Sequence, residues 1–246
     1  MSLPDAWSLA ALAGATFLGA STQRISGVGF ALVASPFLVA LLGPFDGVLL
    51  VNVLGTVTAL LVFVQVFRMV EYRRVLLMLG PAVLAVVPGS WVATHAPSAV
   101  LSVLIGGMVI AALAVSLTLK QLAPLQGRLG AAAAGFVSGF MNVTAGVGGP
   151  AVTAYALATR WRHAAFAASA QLYFFGVGLA SLLAKHSLPQ LDGPQWLACS
   201  IALAGGIILG NWLGPKIPTR ASRAAVIVLA FTGAVLILVE GVVALV

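Results

Sequence analysis

Hydrophobic segments recur along the chain in two similar series, and each series opens with a pair of short segments joined by a turn of small residues. The turns read Ser26-Gly-Val-Gly29 and Ala145-Gly-Val-Gly-Gly-Pro150, and Gly27 and Gly146 lie 119 positions apart. Short apolar segments interrupted by glycine at matching positions of two halves are typical of membrane proteins built from repeats, where they adjoin a binding site. The pattern predicts a duplicated structure with its functional centre at the two turns.

The composition restricts this duplicated chain to one class of protein. Of its 246 residues, 61% are hydrophobic and only 7% are charged. The apolar runs are continuous, whereas the strands of a membrane barrel alternate apolar and polar residues over about ten positions. We therefore predict an all-α polytopic membrane protein without a soluble domain. The first apolar run has no basic segment before it, so we expect a retained helix and not a cleaved signal peptide.

Ten apolar runs can be recognised, at approximately residues 7–20, 30–42, 47–67, 75–94, 99–119, 129–141, 147–159, 164–184, 195–213 and 224–246. The first, second, sixth and seventh runs contain 13 or 14 residues. At 1.5 Å per residue such runs reach about 20 Å, against about 30 Å for the hydrocarbon core. Each short pair is predicted to form a re-entrant hairpin or a broken helix with its polar backbone satisfied inside the protein. Three transmembrane helices follow each pair.

A second pair of matching motifs supports the duplication. Gly89-Ser-Trp91 followed by Pro97, and Gly210-Asn-Trp212 followed by Pro218, both fit the pattern G-x-W-x5-P. Each motif alone is also compatible with an ordinary helix end at the membrane interface. Together with the turns, they predict a first repeat at residues 1–125 and a second at 126–246. The first contains a hairpin at 7–42 and helices at 47–67, 75–94 and 99–119, and the second contains a hairpin at 129–159 and helices at 164–184, 195–213 and 224–246.

The basic residues are distributed unevenly between the two sides of the membrane. Because each short pair returns the chain to the side it left, ten basic loop residues fall on one side and only Lys185 on the other. The ten are Arg68, Arg73, Arg74, Lys120, Arg128, Arg160, Arg162, Lys216, Arg220 and Arg223. By the positive-inside rule, this side faces the cytoplasm, which predicts an inner-membrane protein with both termini outside the cytoplasm. The two repeats are then inverted, and charges spread among loops in this way do not indicate a nucleic-acid partner.

The turns and their surroundings resemble those of the TauE/SafE family of sulfite exporter-like membrane permeases, over nearly the whole chain. The matching residues are Ser26-Gly-Val-Gly29 with Pro36, Gly135-Phe-Val-Ser-Gly139 with Gly146-Val-Gly-Gly-Pro150 and Tyr155, and the basic loop Tyr72-Arg-Arg74. The resemblance implies a transporter of small sulfur-containing anions such as sulfite, sulfoacetate or other organosulfonates, commonly in the outward direction. It leaves the individual sulfur compound open.

The residues of the two turns suit an anion on independent physical grounds. A helix that begins inside the membrane has first amides without carbonyl partners, and its dipole adds partial positive charge there. Glycines let a ligand approach the backbone, and Ser26 and Thr144 carry hydroxyls that can donate to sulfonate oxygens. The candidate glycines are Gly27, Gly29, Gly146, Gly148 and Gly149. The alternative is that these glycines only allow neighbouring helices to pack closely.

Four amides and one arginine extend the candidate site beyond the glycines of the turns, and the amides are Gln23, Asn52, Asn142 and Gln171. Arg24 falls near the first tip, where a buried guanidinium requires an anion, and the five acidic residues all lie near segment ends or termini. If the short segments instead cross the membrane as thin, tilted helices, Arg24 is an ordinary loop charge. At the 119-residue offset, Gln23 corresponds to Asn142, and Asn52 corresponds to Gln171, which predicts amides from both halves around one cavity. The alternative is that these amides hold helices together.

These features predict transport by alternating access, in which one half moves against the other around a site between the hairpin tips. A small-anion channel is the main alternative. A membrane-embedded enzyme acting on lipid phosphates would need paired acids for metal or acid–base chemistry, which the turn regions lack. We therefore expect no enzymatic activity, no metal and no cofactor. The expected partners are a small anion and the lipid bilayer, and a homo-oligomer is left open.

Overall fold

The computed structural model describes residues 6–26, 30–118, 126–217 and 219–245, and no strand occurs in this part of the chain. Its α-helices are α1 (Ala6–Ser26), α2 (Phe30–Leu42), α3 (Pro44–Val66), α4 (Tyr72–His95), α5 (Ser98–Thr118), α6 (Gly127–Ala145), α7 (Gly149–Ala158), α8 (His163–Lys185), α9 (Gly193–Leu213) and α10 (Thr219–Val243). Two 3₁₀ turns follow α3 and α9. The predicted all-α fold is confirmed.

Six of these helices are long and apolar enough to cross a membrane, and they are the six that follow the short pairs. They are α3, α4, α5, α8, α9 and α10. Their length follows from continuous apolar sequence, because an α-helix satisfies its backbone hydrogen bonds internally and can therefore lie in lipid. The prediction of six long apolar helices is confirmed.

The helices of each short pair differ in length. The second helix of each pair is short, with 13 residues in α2 and 10 in α7, as predicted. The same prediction is wrong for α1 and α6, which contain 21 and 19 residues and reach about 30 Å. Both continue past their apolar runs into more polar residues near the turn, because helical hydrogen bonding does not depend on side-chain polarity.

Close packing divides the helices into two compact units, and each unit draws on both sequence halves. The first unit comprises Met1–Val51, Ser98–Gly107 and Leu188–Val246, and the second comprises Asn52–Pro97 and Met108–Ser187. Accordingly, α1 of the first half packs along α9 of the second, and α6 of the second half packs along α4 of the first. The sequence repeats at 1–125 and 126–246 stay a prediction, because a packing unit and a sequence repeat divide a chain in different ways.

In the first unit, small residues let α1 approach α9. A Cβ atom added to Gly206 of α9 would lie 2.7 Å from the Cβ atom of Ala20 and 2.7 Å from the carbonyl oxygen of Phe17. The short helix α2 packs against α10 in a similar way, since a Cβ at Gly233 would lie 2.7 Å from the Cβ of Pro36. Such contacts between small residues are a common basis of helix association in membranes.

In the second unit, two glycines one turn apart bring α6 against the backbone of α4. A Cβ atom at Gly135 would overlap the carbonyl oxygen of Met78, and one at Gly139 would overlap the carbonyl oxygen of Ala82. One turn further along α6, Val143 occupies the space beside Gly89 of α4. The two helices therefore run side by side in the same direction, at a distance that larger residues would not permit.

The helices α6 and α7 form a hairpin whose two ends lie together. The Nε2 atom of Gln126, the residue before α6, donates to the carbonyl oxygen of Ala158 at the end of α7, at 3.4 Å. In the same unit, the Arg74 guanidinium near the start of α4 lies over the ring of Trp161, with 4.9 Å between its Cζ atom and the ring centroid. The start of α4 and the loop after α7, which carries Arg160, are thus in contact at one end of this unit.

The close approach of α6 to α4 predicts that Gly139→Ala destabilises the protein. The added methyl group would overlap the Ala82 carbonyl, so we expect the free energy of unfolding to fall by about 1–3 kcal/mol, as for other overpacked sites. Gly80→Ala is the matched control, because Gly80 lies on α4 with no atom within 4 Å of the added Cβ. The measurement is unfolding of the purified protein in mixed micelles. Equal stability of the two variants would contradict the packing described here.

Candidate functional site

The turn between α6 and α7 is built by a glycine in a conformation that other residues rarely adopt. Gly146 ends α6 with a φ angle of +73°, and its amide donates to the carbonyl oxygen of Asn142 at 2.8 Å. The following amide, of Val147, donates to the carbonyl oxygen of Met141 at 3.3 Å. A left-handed residue at the end of a helix reverses the chain and satisfies final carbonyl groups, and glycine adopts this conformation without steric cost.

The first turn of α7 begins inside the second unit, next to α6. Gly148, the residue before α7, is buried, and its carbonyl oxygen accepts a hydrogen bond from Ser138 Oγ at 2.7 Å. No side chain in the described part of the chain caps this helix start. The first amides of any α-helix lack carbonyl partners within the helix, and the helix dipole makes this end positive. The start of α7 therefore presents backbone donors and partial positive charge within the packed unit.

A cluster of buried amide and hydroxyl groups lies one turn further along α6. Ser181 Oγ of α8 donates to Asn142 Oδ1 at 3.1 Å. Asn52 Nδ2 of α3 donates to the carbonyl oxygen of Asn142 at 3.4 Å. The exposed fractions of Asn52, Asn142 and Ser181 are 3%, 7% and 0%. Two helices distant in sequence from α6, α3 and α8, thus direct polar groups towards Asn142.

Thr56 adds a hydroxyl to the same part of the unit. It follows Asn52 by one turn of α3, and its Oγ1 atom lies against the backbone of Gly178 on α8, where a Cβ atom would overlap it. Within the described residues, this buried oxygen has no hydrogen-bond partner. Leaving a buried hydroxyl unpaired costs about 1–3 kcal/mol. An unpaired group next to the amide cluster is a donor available to a ligand.

The structure brings together five of the residues that the sequence indicated for the second turn, together with Asn52. These are Asn142, Thr144, Gly146, Gly148 and Gly149. Thr144 is turned towards its own helix, since its Oγ1 atom donates to the carbonyl oxygen of Phe140 at 2.6 Å. The same hydroxyl lies 3.3 Å from the Met108 sulfur.

The remaining predicted site residues lie elsewhere or outside the described part of the chain. Gln171 is on α8 ten residues before Ser181, about 15 Å away along the helix, and its Nε2 atom donates to the carbonyl oxygen of Ala167 at 3.3 Å. Gln23 is half-buried near the end of α1, in the first unit. Arg24 and Ser26 belong to the last turn of α1, but their side chains lie outside the described residues, as do Gly27 and Gly29. The role of all these residues stays a prediction.

Sequence reasoning did not assign a site role to Ser138, Ser181 or Lys185, which are all buried in the second unit. Helical spacing carried a usable signal for Ser138, because it precedes Asn142 by four positions and therefore shares its face of α6. No comparable signal existed for Ser181, whose partner Asn142 lies 39 residues away in sequence. In the described residues, no three His, Cys, Asp or Glu side chains are grouped so that they could hold a metal ion.

The six long apolar helices and the buried polar groups around Asn142 define a multi-pass α-helical membrane protein with a polar cluster in its interior. The family model of the sulfite exporter TauE/SafE matches residues 12–237, so the chain belongs to this family. No curated protein and no solved structure matches the chain. The family assignment agrees with the resemblance read from the glycine turns.

The contact between Ser181 and Asn142 predicts energetic coupling between α6 and α8. In a double-mutant cycle of Asn142→Ala and Ser181→Ala, we expect a coupling free energy of about 0.5–1.5 kcal/mol, the usual range for a hydrogen bond between membrane helices. The measurement is unfolding in mixed micelles. Ser169→Ala replaces Ser181→Ala in the control cycle, because Ser169 lies twelve residues earlier on α8 and accepts from the Glu71 amide instead. Additive effects in both cycles would contradict the contact.

Proposed function

We propose that this protein exports small sulfur-containing anions, such as sulfite, sulfoacetate or other organosulfonates, across the cytoplasmic membrane. The observation that carries the proposal is the uncapped start of α7, buried beside the hydroxyl and amide cluster of the second unit. Membership of a transporter family supports a transport role and gives no support to an enzymatic one. The family description supports sulfite as the first substrate to test.

The donors around the start of α7 match the surface of a sulfonate or sulfite group. Such an anion presents several oxygen acceptors in a small volume, and helix amides, hydroxyls and primary amides are all donors. Among the residues that the structure describes, Thr56 Oγ1 has no hydrogen-bond partner, and the Asn142 amide can still donate while its Oδ1 accepts from Ser181. Neutral donors suit a transporter, because an anion held only by full charges would be released slowly.

The length of α7 supports a site near the middle of the bilayer. Its 10 residues span about 15 Å, which is half of a hydrocarbon core of about 30 Å. The end of α7 is followed by Arg160 and Arg162, which we place at the cytoplasmic interface by the positive-inside rule. The start of α7 then lies at about half depth, as expected for a half-helix that binds substrate in a transporter.

For the transport mechanism, we propose alternating access. An anion that leaves a cell with a negative interior gains about 2.3 kcal/mol per charge per 100 mV, which corresponds to roughly a fiftyfold gradient. Export of an anion therefore needs no further energy source.

The first hairpin contributes Gln23, Arg24, Ser26, Gly27 and Gly29 to this proposal as predicted ligands. A carrier and a channel differ in that only the carrier shows saturation together with counterflow.

Transport by purified protein in proteoliposomes tests the function. We expect saturable, counterflow-competent transport of one or more of radiolabelled sulfite, thiosulfate, sulfoacetate and taurine. Thr56→Val keeps the side-chain shape and removes the unpaired hydroxyl, so it should raise KM about tenfold, as for loss of one hydrogen bond to a charged group. Thr58→Val is the control, because the Thr58 hydroxyl already donates to the Leu54 carbonyl oxygen at 2.7 Å. Absence of transport of all four compounds would overturn the proposed function.

The orientation in the membrane can be measured with single cysteines. In a Cys199→Ala background, Gln190→Cys should react with a membrane-impermeant maleimide on intact cells, because its loop is predicted to lie outside. His163→Cys should react only after permeabilisation, since it follows the basic loop of Arg160 and Arg162. Gln190 and His163 are both exposed, so accessibility within the protein does not limit labelling. The reverse labelling pattern would show that the predicted orientation is wrong.

A further inference from the structure

Tyr173 is a fully buried tyrosine of α8 whose hydroxyl group contacts α6 at two points. The hydroxyl donates to the carbonyl oxygen of Gly135 at 3.3 Å, and it also forms a hydrogen bond with the Ser138 side chain. Burying a hydroxyl group costs free energy unless it is hydrogen-bonded, and a phenylalanine ring would fill the same space without that cost. What the hydroxyl group adds to the ring is therefore its contact with α6.

Ser138 connects Tyr173 to the turn between α6 and α7. A serine hydroxyl has one proton to donate, and that of Ser138 goes to the carbonyl oxygen of Gly148 at 2.7 Å. In the hydrogen bond between Tyr173 and Ser138, the tyrosine is then the donor, and its proton is shared with the Gly135 carbonyl oxygen. We call Tyr173, Ser138 and the Gly148 carbonyl group the hydroxyl chain. It joins α8, α6 and the residue before α7.

The contact with Ser138 explains why a glycine occupies position 148. Gly148 has a φ angle of −88° and a ψ angle of −14°, which is a right-handed helical conformation open to every residue type. A Cβ atom at this position, however, would lie 2.7 Å from Ser138 Oγ and 2.8 Å from the Ser138 carbonyl oxygen. The glycine is therefore required by the close approach of Ser138 and not by the backbone conformation.

A fixed Gly148 carbonyl group also fixes the direction of the amide that follows it. In a trans peptide unit, the carbonyl group and the next N–H group point in opposite directions, and the described residues contain no cis peptide bond. The N–H group of Gly149, the first residue of α7, thus points away from Ser138. Pro150 has no N–H group, so Gly149 is one of few backbone donors at this helix start.

We propose that Tyr173 is a positioning residue for the anion site, and that it acts through Ser138 on the start of α7. This inference rests on the proposed function, because the amides that it positions are those that the anion would use. The Tyr173 hydroxyl holds the Ser138 hydroxyl in the orientation that reaches Gly148. Without Tyr173, Ser138 can turn to a carbonyl group of its own helix, as serine side chains in helices do. The peptide unit before Gly149 then loses its fixed direction.

A purely structural role for the Tyr173 hydroxyl is the alternative, in which its bond to the Gly135 carbonyl only holds α8 against α6. The two roles differ in their dependence on Ser138. A positioning residue that acts through Ser138 has no further effect on substrate affinity once the Ser138 hydroxyl is removed. A structural contact with Gly135 acts independently of Ser138, so the effects of the two variants combine.

The first experiment measures transport in proteoliposomes with radiolabelled sulfite, or with whichever compound of the panel the wild type transports. Tyr173→Phe keeps the ring and removes the hydroxyl. We expect it to raise KM about fivefold, as for loss of one hydrogen bond, and to keep kcat within about twofold. Tyr72→Phe is the matched control and should leave KM unchanged, because it removes an exposed hydroxyl that donates to the Phe67 carbonyl oxygen at 3.2 Å.

The double variant decides whether Tyr173 acts through Ser138. We expect Ser138→Ala alone to raise KM about fivefold, since it removes the bond to Gly148 directly. Tyr173→Phe together with Ser138→Ala should have a KM within about twofold of Ser138→Ala alone. Independent effects would instead multiply to about 25-fold, and this result would overturn the inference in favour of the structural role.

Hydrogen–deuterium exchange of the purified protein in micelles gives a measure of the turn that does not depend on transport. In Tyr173→Phe and in Ser138→Ala, we expect peptides covering residues 146–154 to exchange about fivefold faster than in the wild type. Peptides from α8 and from the first half of α6 should exchange at the wild-type rate. Tyr72→Phe should leave the exchange of residues 146–154 unchanged.

An unchanged KM in Tyr173→Phe would overturn the inference while leaving the proposed function intact. Faster exchange spread equally over α6 and α8 in this variant would also overturn it, because the hydroxyl would then stabilise helix packing in general. Failure of the wild type to transport any compound of the panel overturns the proposed function and, with it, the role of Tyr173 in substrate binding. Faster exchange confined to the turn would in that case still demonstrate the hydroxyl chain.

Discussion

Every backbone amide and carbonyl group inside a bilayer must find a hydrogen-bond partner within the protein, and this constraint explains most features of the structure. The six long apolar helices satisfy it internally. The turn between α6 and α7 cannot, because two helix ends meet there. Gly146 satisfies the end of α6, and Ser138 satisfies the carbonyl oxygen of Gly148. No side chain in the described part of the chain caps the start of α7, and the first amides of this helix are the donors that the proposed anion would use.

This turn is held in place by the close packing of α6 on α4. Gly135 and Gly139 contact the backbone of α4, and this contact fixes the depth and rotation of α6 within the second unit. The rotation directs Asn142 towards α3 and α8, where Asn52 and Ser181 bond to it. The packing glycines and the polar site therefore depend on each other, since a shift of α6 by one turn would separate these partners by about 5 Å.

Both units combine helices from both halves of the chain. In the first unit, α1 packs on α9, and in the second, α6 packs on α4, so the first helix of each short pair associates with a helix of the opposite half. In an apolar solvent, the hydrophobic effect does not select helix partners, and close contact between small residues does. The pairing follows from the positions of Gly135, Gly139 and Gly206 against small or backbone surfaces. Because helices of the two halves associate, Asn52 of α3 and Ser181 of α8 both contact Asn142 in the second unit.

The sequence by itself determined the class of protein, the six long apolar helices, the family and the place of the α6–α7 turn, because each of these depends on contiguous residues. It indicated Asn142, Gly146 and Gly148 for the same reason, since they lie at the turn. The tertiary structure alone decided that α1 and α6 are long, that Gln171 lies away from Asn142, and that Ser181 and Lys185 lie on the face of α8 that carries the hydrogen bond to Asn142. The physical reason is that membrane helices are apolar on all sides, so their sequence does not show which faces meet. Only the three-dimensional contact of distant small residues settles the partners, and with them the composition of the site.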